Sequence, residues 1–169
     1  TNPIAFAAPA GEQRDFVLDM ATSTVASGKI GLAKRLGVKI PEGWAVTAEG
    51  EPLTEPLGDR GEHWAMNPLG NTREQGSHKG YGLGLVVDIL CGVLSGGGYG
   101  TQLSAGENMS FMMAIDIAKF RNVDDFKSMM DDMISEMHST PSISSEERVL
   151  VAGDPEADIQ EDRLKNGVP

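Results

Sequence analysis

The chain has 169 residues, 40% hydrophobic and 23% charged, which is enough to bury a substantial core and too apolar for a disordered segment. A net charge of -11 excludes a phosphate-binding stripe, so neither nucleic acid nor an anionic membrane surface is expected as a partner. A single cysteine, Cys91, rules out an intrachain disulfide and reads as a small buried hydrophobe of a reducing compartment.

In chain order, residues 4–9 are apolar and read as a short strand, and residues 14–20, with Phe16, Val17 and Leu18, as a second. Thr22-Ser23-Thr24 offers hydroxyls to cap a following helix. Val25, Ile30, Leu32, Ala33 and Leu36 form its partial stripe, and Gly37 its stop. Residues 38–76, rich in glycine and proline, read as loops with short strands.

The most informative stretch is Gly76-Ser77-His78-Lys79-Gly80-Tyr81-Gly82-Leu83-Gly84, which runs into an apolar segment ending at Leu94. Residues 83–94 are apolar on every side except at Asp88, as a buried central helix would be. His78 and Lys79 therefore stand at a helix entry, where a lysine and free N–H groups suit a phosphate. The alternative is a solvated loop lysine beside a turn histidine.

Residues 110–117 read as a strand with Phe111, Met113 and Ile115 on one face. Asn122 caps a helix whose first turn carries Asp124 and Asp125. Phe126, Met129, Met130, Met133, Ile134 and Met137 give that helix an apolar stripe, expected to fill the core. After a polar linker, residues 148–151 read as a strand. Asp154-Pro155 opens a last helix with a cap and a proline in its first turn.

The motifs of familiar chemistry are missing. The sequence contains no GxGxxG, P-loop, HExxH or CxxC, and His63, His78 and His138 are too scattered for a metal site. Ser77 beside His78 is not a nucleophile and base, which would need a third, orienting group. Asp19, between Leu18 and Met20, either bonds the helix start or meets a ligand's hydroxyl groups.

Several segments together resemble one family. They are Thr1-Asn2-Pro3 with Ala5-Phe6-Ala7-Ala8-Pro9, then Leu18-Asp19-Met20-Ala21-Thr22-Ser23, Gly28-Lys29-Ile30, and Ile40-Pro41-Glu42-Gly43-Trp44-Ala45. The block from His78 to Gly96, Gly153-Asp154-Pro155-Glu156 and Asn166-Gly167-Val168-Pro169 complete the series. In this order they resemble the type-2 malate/L-lactate dehydrogenases, a group that includes ureidoglycolate, diketogulonate, sulfolactate and cyclic-imine oxidoreductases.

The resemblance implies a mixed α/β (α+β) fold with a largely antiparallel, non-Rossmann nucleotide-binding sheet flanked by helices. It implies residues 1–140 as that domain, lacking its N-terminal part, and 141–169 as a segment returning to the rest of the subunit. It further implies NAD or NADP as cofactor, a small 2-hydroxy or 2-oxo acid as substrate, a homodimer, and hydride transfer. The cytoplasmic location is expected from the lone Cys91 and the lack of a spanning apolar stretch.

By resemblance, Asp15, Phe16, Val17, Leu18, Asp19, Met20 and Ala21 contact the cofactor, with His78, Lys79, Gly153, Asp154 and Pro155. Thr1 and Asn2 lie next to the substrate. The family's acid/base histidine is expected upstream of Thr1, so none of the three histidines here takes that role, and the chain alone is expected to be inactive. A non-catalytic nucleotide-binding or assembly module on the same scaffold is the alternative. Thr47, where an aspartate is frequent, and Asn108-Met109-Ser110-Phe111, where glycine-histidine-phenylalanine is common, depart from the pattern.

Overall fold

The computed structural model describes residues 2–55, 64–103, 108–143 and 148–168. Thr1 and His63 lie outside the described residues. The architecture is mixed α/β, with antiparallel strand pairing and four α-helices among the described residues. Two compact units divide the chain: residues 1–4 with 20–112, and residues 5–19 with 113–169. Residues 141–169 cluster with 5–19 and 113–140.

Strands β1 (Pro3–Ala8) and β2 (Phe16–Ala21) pair as a two-stranded sheet. In the first unit, β3 (Ala45–Thr47) lies between β4 (Pro52–Leu53) and β5 (Trp64–Met66), antiparallel to both. Ala45 stands opposite Leu53 on one side and Met66 on the other. It is fully buried in a core with Val25, Ile30, Ala33, Ile40 and Leu53.

Helix α1 (Ser27–Leu36) presents Ile30 and Ala33 to that core. It ends where Gly37, at φ 65°, turns its N–H back to the Ala33 and Lys34 carbonyls. Its start differs from expectation. The flanking residue is Ala26, without a side-chain cap. Ser23 Oγ instead donates to the Val25 carbonyl and Thr24 Oγ1 to the Pro68 carbonyl, both at 2.8 Å. Thr24 thereby ties this loop to Pro68, while the Ser23 bond stays within the loop.

Helix α2 (Ser77–Asp88) continues into a π-turn, Ile89–Val93. The segment is helical as expected, but it is not buried. Gly80 and Gly92 are its buried positions, while Leu85, Val86, Ile89 and Leu94 are exposed, the last at 67%. Its unit covers the glycine edge alone. A Cβ on Gly80 would strike the Leu69 backbone, and one on Gly92 the Gly98 carbonyl.

The second unit holds α3 (Val123–Ser139) and α4 (Asp154–Asn166). Asn122 caps α3 as expected, its Oδ1 accepting from the Asp124 and Asp125 N–H groups at 2.8 and 3.1 Å. The apolar stripe buries Ile134, whereas Met129, Met133 and Met137 are exposed. The stripe does not fill a core because it is wider than the elements its own unit packs against it.

Residues 110–116 form no strand, since no strand pairs with them among the described residues. Their apolar side chains are largely exposed, Met112 at 90%. Residues 148–151 also form no strand, because the Val151 N–H is taken by the Asp154 carboxylate. Helix α4 begins at Gly153, φ 103°, with a proline in its first turn. Asp154 does not cap it. No helix among the described residues is long and apolar enough to cross a membrane.

Candidate functional site

The larger cavity, about 1360 Å³, is an open cleft of the second unit. Two segments far apart in sequence make it. The Val17 N–H donates to the Ala152 carbonyl at 3.1 Å, which fastens the β2 edge to the turn before α4. Gly153 completes the join: a Cβ there would lie 3.3 Å from Val17 N and 3.4 Å from Val17 Cβ, in a backbone conformation that side chains disfavour.

Asp15, Val17, Leu18, Asp19, Gly153 and Pro155 all line this cleft. Asp15 spends one carboxylate oxygen on the Ala10 N–H at 2.9 Å. The Asp19 side chain is exposed and accepts no hydrogen bond, so its helix-start role is not realised. Of the two guanidiniums in the lining, Arg14 is held by Asp158 at 2.7 Å and Glu161 at 2.5 Å, while Arg163 has no ion pair. The first turn of α4 carries Asp154 and Glu156, which compensate the positive helix end that an anion would otherwise use.

A buried ionic clasp braces the turn. Asp154, 5% exposed, accepts at Oδ2 from Val151 N at 2.9 Å, His138 Nε2 lies 2.7 Å away and Arg148 Nη1 3.2 Å. Burial pushes this carboxyl up, but the Val151 N–H, His138 and Arg148 outweigh it and hold the pKa below the usual carboxylate range. Arg148 reaches on to Asp158, which Arg14 also holds, and these two guanidiniums keep the Asp158 carboxyl low as well. A second clasp fixes α3: Asp131 accepts from the Glu12, Gln13 and Gly11 N–H groups, which lower its pKa.

The first unit holds a smaller cleft, about 440 Å³. Asn2 lines it with its amide fixed, Nδ2 donating to the Gly84 carbonyl at 2.8 Å and to Asp88 Oδ1 at 3.0 Å. Both amide protons are thereby used, and Oδ1 remains as an acceptor. Buried Thr22 donates its backbone N–H to the Asn2 carbonyl at 3.3 Å, and the indole N–H of Trp64 is buried without a partner.

His78 and Lys79 sit in the opening turn of α2, both exposed, after the left-handed Gly76. The Lys79 side chain folds along Gly76, whose Cβ position lies 3.6 Å from Nζ. The structure gathers the β2 edge and the Gly153 turn into one cleft, whose lining does not include His78 and Lys79. Met20 and Ala21 belong with the first unit, and Phe16 stacks edge-to-face on Phe6 at 6.1 Å rather than lining the cleft.

A family model described as malate/L-lactate dehydrogenase matches residues 1–169. The chain belongs to this family. It is 42% identical over 175 residues to a malate dehydrogenase of Pyrococcus abyssi, covering 100% of this chain and 48% of that protein. A (2R)-3-sulfolactate dehydrogenase (NADP(+)) of Chromohalobacter salexigens is 41% identical over 128 residues, 71% of this chain and 36% of the relative. The solved structure of malate dehydrogenase from Pyrococcus horikoshii OT3 superposes with a TM-score of 0.74 at 36% identity, over 99% of this chain and 46% of that one.

The chain spans about half the length of the curated relatives it matches. Membership makes it part of an oxidoreductase family acting on small hydroxy acids. Three residues of these sites escape sequence reading. His138 and Arg148 act on Asp154 through contacts that no local spacing signals. Asp88 was visible only as the polar break in an apolar run.

Proposed function

We propose that this chain supplies the coenzyme-holding part of an NAD(P)-dependent oxidoreductase for malate- or lactate-type 2-hydroxy acids. The observation that carries the reading is the convergence of the β2 edge and the Gly153 turn on one cleft, in a chain matched by the family model throughout. The cleft fits a nicotinamide dinucleotide. Asp19 offers an unengaged carboxylate to ribose hydroxyls and Arg163 a free guanidinium to a phosphate, while Gly153 lets the turn pack against Val17 and close the cleft wall.

When bound, the nicotinamide supplies or accepts the hydride at the carbon carrying the 2-hydroxy or 2-oxo group. The chain's own residues bind and orient. In the first unit, Asp88 and the Gly84 carbonyl fix the Asn2 amide so that its Oδ1 presents an acceptor to a substrate hydroxyl. Lys79, at the entry of α2, adds an exposed cation for a coenzyme phosphate. None of His78, His138 and the undescribed His63 is assigned the acid/base role.

The sheet is of the non-Rossmann kind in this reading, supported by the absent GxGxxG and by antiparallel pairing around β3. The homodimer is supported by the exposed apolar faces of α2 and α3, and the cytoplasmic location by the lone, undisulfided Cys91. The test is NADH- and NADPH-linked reduction of oxaloacetate and pyruvate, by the chain alone and with the N-terminal half of a relative restored. Turnover should require the restored half. Robust turnover by the chain alone would overturn the binding-only role, and none in either form would overturn the oxidoreductase reading.

A further inference from the structure

We infer that two copies of this chain associate by seating the outer face of α3 of one copy on the outer face of α1 of the other. This rests on the homodimer reading and names the surfaces that make it. The two helices carry opposite charge, and each leaves apolar side chains uncovered beside its charges.

Helix α1 turns Ile30 and Ala33 to the core, which leaves Leu32 and Leu36, one turn apart, on its outer side at 46% and 65% exposed. Residues 27–41 contain no acid and the cations Lys29, Lys34, Arg35 and Lys39, in a chain of 25 acidic and 14 basic residues. Lys39 is taken by Glu55 at 2.6 Å. The Lys29 and Arg35 side chains, each three positions from Leu32, are exposed and make no ion pair or hydrogen bond.

Helix α3 is the converse. Met129, Met133 and Met137 recur every four residues along its exposed side. Asp125, Asp132 and Glu136 stand three or four positions from these methionines, so they form an edge beside them. All three carboxylates are exposed and without a partner, whereas Asp131 is spent on the N–H groups of Gly11, Glu12 and Gln13.

An apolar stripe alone selects no partner. The charged edges do, because like faces repel and opposite faces attract. The α1 face therefore rejects another α1 face, and α3 another α3, while α1 and α3 of different copies complement each other. Methionine side chains adapt to a facing leucine pair, so burial supplies affinity and the charges supply the choice of partner.

Sedimentation equilibrium of the full chain tests this, with circular dichroism confirming the fold. The parent should dimerise at about 50 mM salt and weaken several-fold at about 500 mM. Lys29→Glu with Arg35→Glu makes both faces acidic, and Asp132→Lys with Glu136→Lys makes both basic. Each double variant alone should associate at least about tenfold more weakly, and an equimolar mixture of the two should associate again, because each then meets its opposite. Variants that dimerise like the parent, a mixture that stays monomeric, or a parent dimer indifferent to salt would overturn these surfaces and leave the homodimer reading standing. A parent that stays monomeric at about 100 μM would overturn both.

Discussion

His138 and Asp154, sixteen positions apart, meet at 2.7 Å between Nε2 and Oδ2, beside the turn that closes the large cleft. The same carboxylate oxygen takes the Val151 N–H, so one buried atom couples the end of α3 to the start of α4. Asp154→Ala should therefore strip a half-buried N–H of its acceptor and His138 of its partner, while Arg148 keeps its bond to Asp158. The half-exposure of Arg148 moderates the effect to a loss of about 2–3 kcal/mol. Urea unfolding followed by circular dichroism measures it, and a change under about 0.5 kcal/mol would refute the bracing role.

Acid should weaken the fold for a related reason. Asp154, Asp158 and Asp131 all have carboxyl groups held below their ordinary value in the folded chain. The unfolded chain then binds more protons as pH falls, so their stabilisation is complete above the unfolded carboxylate value of about 3.9 and is lost as pH drops through the lower folded values. Denaturation midpoints should be flat from neutral to about pH 5 and fall steeply below about pH 4. Asp131→Asn and Asp154→Asn should each flatten that fall. A parent midpoint that stays constant to pH 3 would contradict the shifts.

Glycines in the helices should split by their surroundings. Nothing lies within 4 Å of a Cβ built on Gly31 in α1, so Gly31→Ala should stabilise by about 0.5–1 kcal/mol through lower chain entropy. Gly92→Ala would drive a methyl into the Gly98 carbonyl and should cost about 1–3 kcal/mol. Paired thermal melts decide this, and an equal or reversed ranking would count against the close approach at the π-turn.

Helix ends were the most legible features, because capping is local chemistry. Asn122 with Asp124 and Asp125, Gly37 and Pro155 each signal through neighbours within a few residues, and each lies at a helix terminus. Features that depend on a partner were not legible. The alternation of Phe111, Met113 and Ile115 has the period of a strand, but a strand also needs a second backbone, and none pairs with it among the described residues. The Met129, Met133 and Met137 spacing likewise specifies a face without saying whether anything covers it. The cleft was legible as two separate motifs, and their fusion at Val17 and Ala152 required the fold.

Lys79 offers a test in the first unit. Its exposed ammonium at the α2 entry is free to meet a phosphate, and Lys79→Ala should weaken NADH binding by about tenfold without lowering the melting temperature. Unchanged affinity would return it to an ordinary solvated side chain.

The central claim is that the β2 edge and the Gly153 turn together hold the coenzyme. Amide chemical-shift mapping of the nitrogen-15-labelled chain during NADH titration tests it most directly. The account predicts saturable shifts at Val17, Leu18, Asp19, Ala152 and Gly153, the residues that meet in the cleft. No shifts at millimolar NADH in a folded sample, or shifts confined to amides outside that cleft, would contradict it.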